Sequence, residues 1–206
     1  MNNYELQLLQ WEERTLTLSP AELVKKLPEL QWVDKELHIR HLGRLIALDL
    51  STGKLRGLDG NKALSMNAKL NIYTLLWYCK EDAKLSGKWR SFHDIKAVAP
   101  FASAFQKSVI NALSFSFQGQ EEKLADAIVS LGGHRIRKNR YFLPAFACMP
   151  LMINFWDRDE EFPPQSNILF DENACDFIHP ESLVTIASEA VHRLAQEAKL
   201  PIQNCF

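Results

Sequence analysis

The chain has 206 residues, of which 47% are hydrophobic and 24% are charged, proportions typical of a globular protein rather than a disordered or fibrous one. A chain of this length is expected to form one domain, and it can bury enough surface to fold without a disulfide or a metal. Its 24 basic and 25 acidic residues give a net charge of −1, which predicts no general attraction to nucleic acid or to an anionic membrane.

Residues 1–35 form the first predicted unit, a helical segment. Apolar residues recur at helical spacing over residues 3–15, which predicts an amphipathic helix. Ser19, Pro20 and Glu22 supply an N-cap, a proline at the first helical position and an acidic first turn, so a second, short helix is expected there. We expect this segment to precede a single domain formed by residues 36–200.

The remaining predicted elements come in blocks. Composition and alternation predict strands within the segments 36–50, 134–138, 149–156 and 167–170. Apolar periodicity predicts helices over 66–80, 102–117, 120–131 and 181–198. Because strands and helices do not alternate strictly, the prediction is an α+β fold, a single domain with a mostly antiparallel sheet packed by several helices.

Motifs of common enzymes are missing from the sequence. It contains no phosphate-binding loop, no dinucleotide-binding glycine motif, no nucleophile elbow and no H-E-x-x-H zinc motif. The cysteines are widely spaced, which predicts reduced thiols and neither a zinc site nor an iron–sulfur cluster; they are Cys79, Cys148, Cys175 and Cys205. With no signal-peptide pattern and no apolar stretch long enough to cross a bilayer, we expect a cytoplasmic protein without membrane contact.

One acidic segment stands out after the predicted strand 149–156. Between Asp157 and Asp176 there are seven carboxylates and a single basic residue, Arg158. An EF-hand loop is excluded, because Phe162 and Ile168 occupy the positions that need glycine and glutamate. Two interpretations stay open: the carboxylates pair with the basic strand at 135–140, or they form a cation site or an acid–base pair.

The same segment resembles a known family. Residues 155–164 (FWDRDEEFPP) and 168–171 (ILFD), together with 86–92 (SGKWRSF), are similar to a prokaryotic domain of unknown function, number 3786, found mainly in anaerobic bacteria and archaea. The resemblance covers roughly residues 36–197. It implies a role in anaerobic redox or cofactor metabolism. Some relatives carry a cysteine-rich iron–sulfur segment, which this sequence lacks.

The leading hypothesis is a binding or accessory module for a small-molecule cofactor or a protein partner, with no nucleic acid involved and the cofactor unknown. Its cleft would be lined by aromatic residues, among them Phe92, and edged by carboxylates around 156–171. The predicted binding residues are Trp156, Asp157, Asp159, Glu160, Glu161, Phe162, Asp171, Trp89 and Lys107. The alternatives are a metal-assisted hydrolase or lyase that uses the same carboxylates, and a purely structural protein that uses the acidic loop for docking.

Overall fold

A computed structural model describes residues 3–60 and 63–203 of the chain. The helices are α1 (Asn3–Thr15), α2 (Pro20–Lys26), α3 (Met66–Tyr78), α4 (Ala102–Phe105), α5 (Ala112–Ser116), α6 (Glu121–Ser130), α7 (Ala174–Phe177) and α8 (Ser182–Ala198). A π-helical turn, Gln106–Asn111, joins α4 to α5. Short 3₁₀ turns occupy Phe92–Asp94 and Ala99–Phe101.

The described residues form two antiparallel sheets. The first, in spatial order, contains β1 (Gln31–Val33), β2 (Glu36–His41), β3 (Arg44–Asp49) and β4 (Leu55–Gly57). The second contains β5 (Trp89–Ser91), β9 (Gln165–Asp171), β8 (Met149–Trp156), β7 (Arg140–Phe146) and β6 (His134–Arg137). The predicted α+β class is therefore confirmed, but 36–50 does not share a sheet with 149–156 and 167–170 as expected.

Local signals in the sequence explain several element ends. The Ser19 hydroxyl accepts a hydrogen bond from the Glu22 backbone N–H, so the predicted N-cap of α2 is present. Leu42 and Gly43 both have positive φ angles, which suits the two-residue hairpin between β2 and β3. No strand is predicted at 89–91, but Trp89–Ser91 pairs with β9 and forms β5, the edge strand of the second sheet.

The two sheets meet at a β-bulge. The register between β7 and β8 shifts between Pro144 and Phe146, so Ala145 falls outside the regular ladder. The Ala145 carbonyl instead accepts hydrogen bonds from the Leu42 backbone N–H, at 2.9 Å, and from the His41 ring. This irregularity in one sheet thereby fixes the position of the other.

One hydrophobic core joins both sheets and the helices. The π-helical turn and α5 contact β9, α6 contacts β6 and β7, and α8 packs against α3 and α6. Trp11 of α1 and Leu23 of α2 belong to the same buried cluster as the sheets. The first sheet begins at β1, which lies inside the segment 1–35 predicted to be helical. The domain boundary at residue 35 stays a prediction.

Candidate functional site

Strand β8 is buried along its whole length except at its last residue. Residues 149–155 are buried because they face the core or neighbouring strands, whereas Trp156 has 46% of its surface exposed. Trp156 pairs with Gln165 at the start of β9, so the segment between them forms a long hairpin loop at one end of the second sheet. A large aromatic side chain therefore stands at the end of a rigid strand.

The loop after Trp156 is held by its own carboxylates. Asp157 accepts hydrogen bonds from the backbone N–H groups of Gly119 and Arg158, which tie the loop to the turn after α5. Asp159 accepts from the N–H groups of Glu161 and Phe162, and these bonds lower the pKa of Asp159. Two prolines at 163 and 164 fix φ directly afterwards. The loop conformation is thus set in advance of any ligand.

Phe162 stands between two shallow cavities formed by this loop. The first, of about 270 Å³, is lined by Trp156, Asp157, Asp159, Phe162, Pro163 and Gln165. The second, of about 290 Å³, lies between the acidic loop and the end of α5. Phe162 lines both and is 58% exposed. Four of the predicted binding residues thus share one cavity.

Glu160 and Glu161 differ from the two aspartates because they point their charge outward. Both are exposed, and neither has an ion-pair partner among the residues that the structure describes. They carry the outward negative charge of the loop, next to Phe162. We define the acidic–aromatic surface as Trp156, Asp157, Asp159, Glu160, Glu161 and Phe162.

The interpretation that the basic strand neutralises this acidic loop is wrong. Arg135 forms its ion pairs with Glu121 and Glu122 of α6 instead. Arg140 donates from Nε to the Asn154 side chain at 2.8 Å. Sequence proximity suggested the pairing, but the sheet directs these side chains to other partners.

The other predicted site residues lie elsewhere. Asp171 is at the opposite end of β9 from Gln165, six residues and about 20 Å along the strand. Trp89 pairs with Asp171 at that far end. Lys107 is exposed on the π-helical turn, which packs on β9. The predicted cleft therefore does not contain these three residues.

Asp171 instead holds the loop before β5. It accepts hydrogen bonds from the backbone N–H groups of Ser86, Gly87 and Asn173 and from the Ser86 hydroxyl. Burial alone would raise the pKa of Asp171, but these hydrogen bonds outweigh it and the pKa is lowered. Two of the motifs that carry the family resemblance, 86–92 and 168–171, thus contact each other.

Phe92, expected to line the cleft, is a core residue. It is 1% exposed and stacks on Phe105 with the ring centroids 4.0 Å apart, next to Phe170. Nothing in its position gives it access to a ligand. Strand β5 has only three residues, and the chain enters the core directly after it. Phe92 therefore lies in the core and not in the predicted cleft.

Two polar side chains with buried atoms, those of His41 and Glu29, are not among the predicted site residues. His41 lies between the sheets, where Nδ1 contacts the Ala145 carbonyl at 2.9 Å and Nε2 contacts the Asn71 amide at 3.3 Å. The second group is Glu29, whose Oε1 is buried without a hydrogen-bond partner. Burial raises the pKa of Glu29, although the neighbouring Cys148 thiol and backbone groups oppose this. No motif marks either residue, because each depends on contacts distant in sequence.

Metal ligation gains no support from the geometry. Within residues 3–60 and 63–203, no group of three or more His, Cys, Asp or Glu side chains could hold a metal ion. Burial raises the pKa of the Cys79 thiol to about 11 and raises that of Cys148 as well. Cys205 lies outside the described residues. The hydrolase or lyase alternative would therefore rely on carboxylates of which three, Asp157, Asp159 and Asp171, already bind backbone N–H groups of the protein.

The fold and the site define an α+β domain that presents a preformed acidic–aromatic surface at the end of an antiparallel sheet. A domain of unknown function (DUF3786) matches residues 19–193, most of the chain, and the protein belongs to this family. No curated protein and no solved structure matches the chain. In the described part of the chain, no helix is both long and apolar enough to cross a membrane.

Proposed function

We propose that this protein is a partner-binding module whose acidic–aromatic surface docks a cationic, apolar-containing segment of another protein. The observation that carries the proposal is the exposure of two large aromatic rings, Trp156 at the end of β8 and Phe162 on the loop that hydrogen bonds to Asp157 and Asp159 hold in place. Exposed apolar groups rimmed by polar residues are typical of interaction sites. Its cytoplasmic location and its place in anaerobic metabolism stay predictions.

The shape of the surface favours a macromolecular partner over a small cofactor. Small-molecule sites are concave and bury about 70–90% of their ligand. The cavities on either side of Phe162 are shallow, and Phe162 itself is more than half exposed. A partner chain can cover such rings from outside, in the way that aromatic anchors dominate protein interfaces.

The charge of the surface favours a basic partner. Glu160 and Glu161 have no cation to neutralise them among the described residues, and Arg158 is the single base in the loop. Complementary charge around an apolar centre speeds association and selects the partner. Lysine or arginine flanking a bulky apolar side chain is therefore the expected recognition pattern.

Selection from a displayed library of random peptides tests this proposal. The wild-type protein should enrich peptides that combine Lys or Arg with a large apolar residue. Phe162→Ala and the double variant Glu160→Gln with Glu161→Gln should each lose these peptides. Val129→Ala changes an equally exposed apolar residue on α6 and should keep them. Peptides without a cationic bias, or peptides that bind Phe162→Ala equally well, would refute the proposal.

A further inference from the structure

Trp156 also lines a third cavity, whose other lining residues do not belong to the acidic–aromatic surface. It has a volume of about 370 Å³ and is lined by residues 137–140, called the basic hairpin here, together with Asn154 and Trp156. The basic hairpin contains three cations, Arg137, Lys138 and Arg140. This cavity is as open as the one beside Phe162, so a ligand here would be held by charge and by contact with the Trp156 ring rather than by enclosure.

A β-bulge assembles these cations. Arg135 pairs with Tyr141, but the register then shifts by one residue and Arg137 pairs with Arg140. Residues directly opposite in an antiparallel pair share a face, and residues two apart on a regular strand do so as well. Without the bulge, Arg137 would lie on the face of Arg135. The shift places Arg137 beside Arg140 instead, whereas Arg135 stays on the face of Tyr141, where it pairs with Glu121.

The cations lack an internal counter-charge. Two like charges directly opposite across a strand pair repel each other. Neither Arg137 nor Lys138 forms an ion pair with any residue that the structure describes, and the Nη atoms of Arg140 make no hydrogen bond there. An anion bound between them would remove the repulsion.

Asn154 orients one of these cations. Its side chain is buried, with 6% exposure, and its Oδ1 accepts the Arg140 Nε–H at 2.8 Å. The two Nη atoms of the Arg140 guanidinium remain available to a ligand, and their planar arrangement matches two oxygens of a phosphate. Trp156 follows two residues later on β8, about 7 Å along the strand and on the same face.

We propose that the basic hairpin, Asn154 and Trp156 form a binding site for a nucleoside phosphate. The phosphate lies between Arg137, Lys138 and Arg140, and the base stacks on the exposed Trp156 ring, as bases do on aromatic side chains. A free nucleotide and one nucleotide of a single strand share this chemistry. The net charge of −1 and the acidic loop beside Trp156 oppose a long polyanion, so the free nucleotide is the expected source.

Amide and indole N–H spectra of the ¹⁵N-labelled full chain test the site. Comparison with Trp156→Phe identifies the Trp156 indole signal among the five tryptophans. Adenosine monophosphate should shift that signal and the amides of 137–140, whereas inorganic phosphate should shift the amides alone. A short single-stranded oligonucleotide is the third probe. If it binds more tightly than adenosine monophosphate and its affinity falls steeply with salt, the natural ligand is nucleic acid rather than a free nucleotide.

Variants separate this site from its surroundings. Arg137→Ser with Lys138→Ser, both exposed residues, should weaken adenosine monophosphate binding about tenfold or more. Arg135→Gln removes one positive charge from the other face of β6 and should bind as the wild type does. Phe162→Ala should bind adenosine monophosphate as the wild type does, although it should lose peptide binding. The two proposals can therefore fail independently of each other. Unchanged binding in the double variant, or no spectral shift with either nucleotide probe, would overturn the inference.

Discussion

Acidification should weaken the junction between the two sheets through His41. Burial lowers the pKa of His41 to about 4 from 6.5; its hydrogen bond to the Ala145 carbonyl opposes the shift and the nearby Arg193 adds to it. The unfolded state therefore binds more protons than the folded state between these two values. The neutral ring stabilises the fold fully above pH 6.5, and this contribution is lost as the pH falls toward 4.

The size of this effect follows from the pKa difference. One pKa unit corresponds to about 1.4 kcal/mol, so the shift of His41 should cost about 2 kcal/mol of unfolding free energy between pH 7 and pH 5. Urea unfolding at both pH values, extrapolated to water, measures the loss. His41→Gln and His41→Asn both remove this titration. In each variant the loss of unfolding free energy between pH 7 and pH 5 should be about 2 kcal/mol smaller than in the wild type. An equal pH dependence in wild type and both variants would refute the assignment.

Two further predictions concern carboxyl groups with buried oxygen atoms. Glu29→Gln should raise the melting temperature at pH 8 and should have little effect near pH 4.5. The pKa of Glu29 is raised in the folded state, so its ionisation lowers stability as the pH rises. A variant with a lower melting temperature than the wild type at pH 8 would contradict this. Asp171→Ala should lower the unfolding free energy by about 3 kcal/mol or more, since three backbone N–H groups and the Ser86 hydroxyl lose their acceptor. Phe162→Ala, an exposed control, should change it by less than about 0.5 kcal/mol in the same denaturation assay, and equal effects of the two variants would argue against a structural role for Asp171.

Much of the fold could be predicted from patterns among residues that are neighbours in the sequence. Apolar periodicity marks α8 clearly, and the proline and serine at 19–20 mark the start of α2, because both signals depend on neighbours in the sequence. Composition likewise predicts the strand at 149–156, which the structure shows as β8. These features need no knowledge of distant contacts.

Register and long-range pairing could not be predicted in the same way. The bulges at Arg135/Arg137 and Pro144/Phe146 each depend on a partner strand, and they decide which residues face Trp156 and where the sheets join. Asp171 was grouped with the acidic loop because it is near in sequence, but its partners Ser86 and Gly87 are more than 80 residues away. Of the predicted aromatic residues, Trp156 and Phe162 line one cavity, whereas Trp89 and Phe92 lie elsewhere. The cations beside Trp156 are brought there by strand pairing, which the sequence does not show.

The most direct test of the central claim is photo-crosslinking in living cells of the source organism. A benzophenone amino acid replaces Phe162 in one strain and the equally exposed Val129 of α6 in another. The docking proposal predicts a discrete crosslinked protein from position 162 alone, which disappears when Glu160 and Glu161 are also changed to Gln. The same crosslinked protein from both positions, or none from position 162, would contradict it.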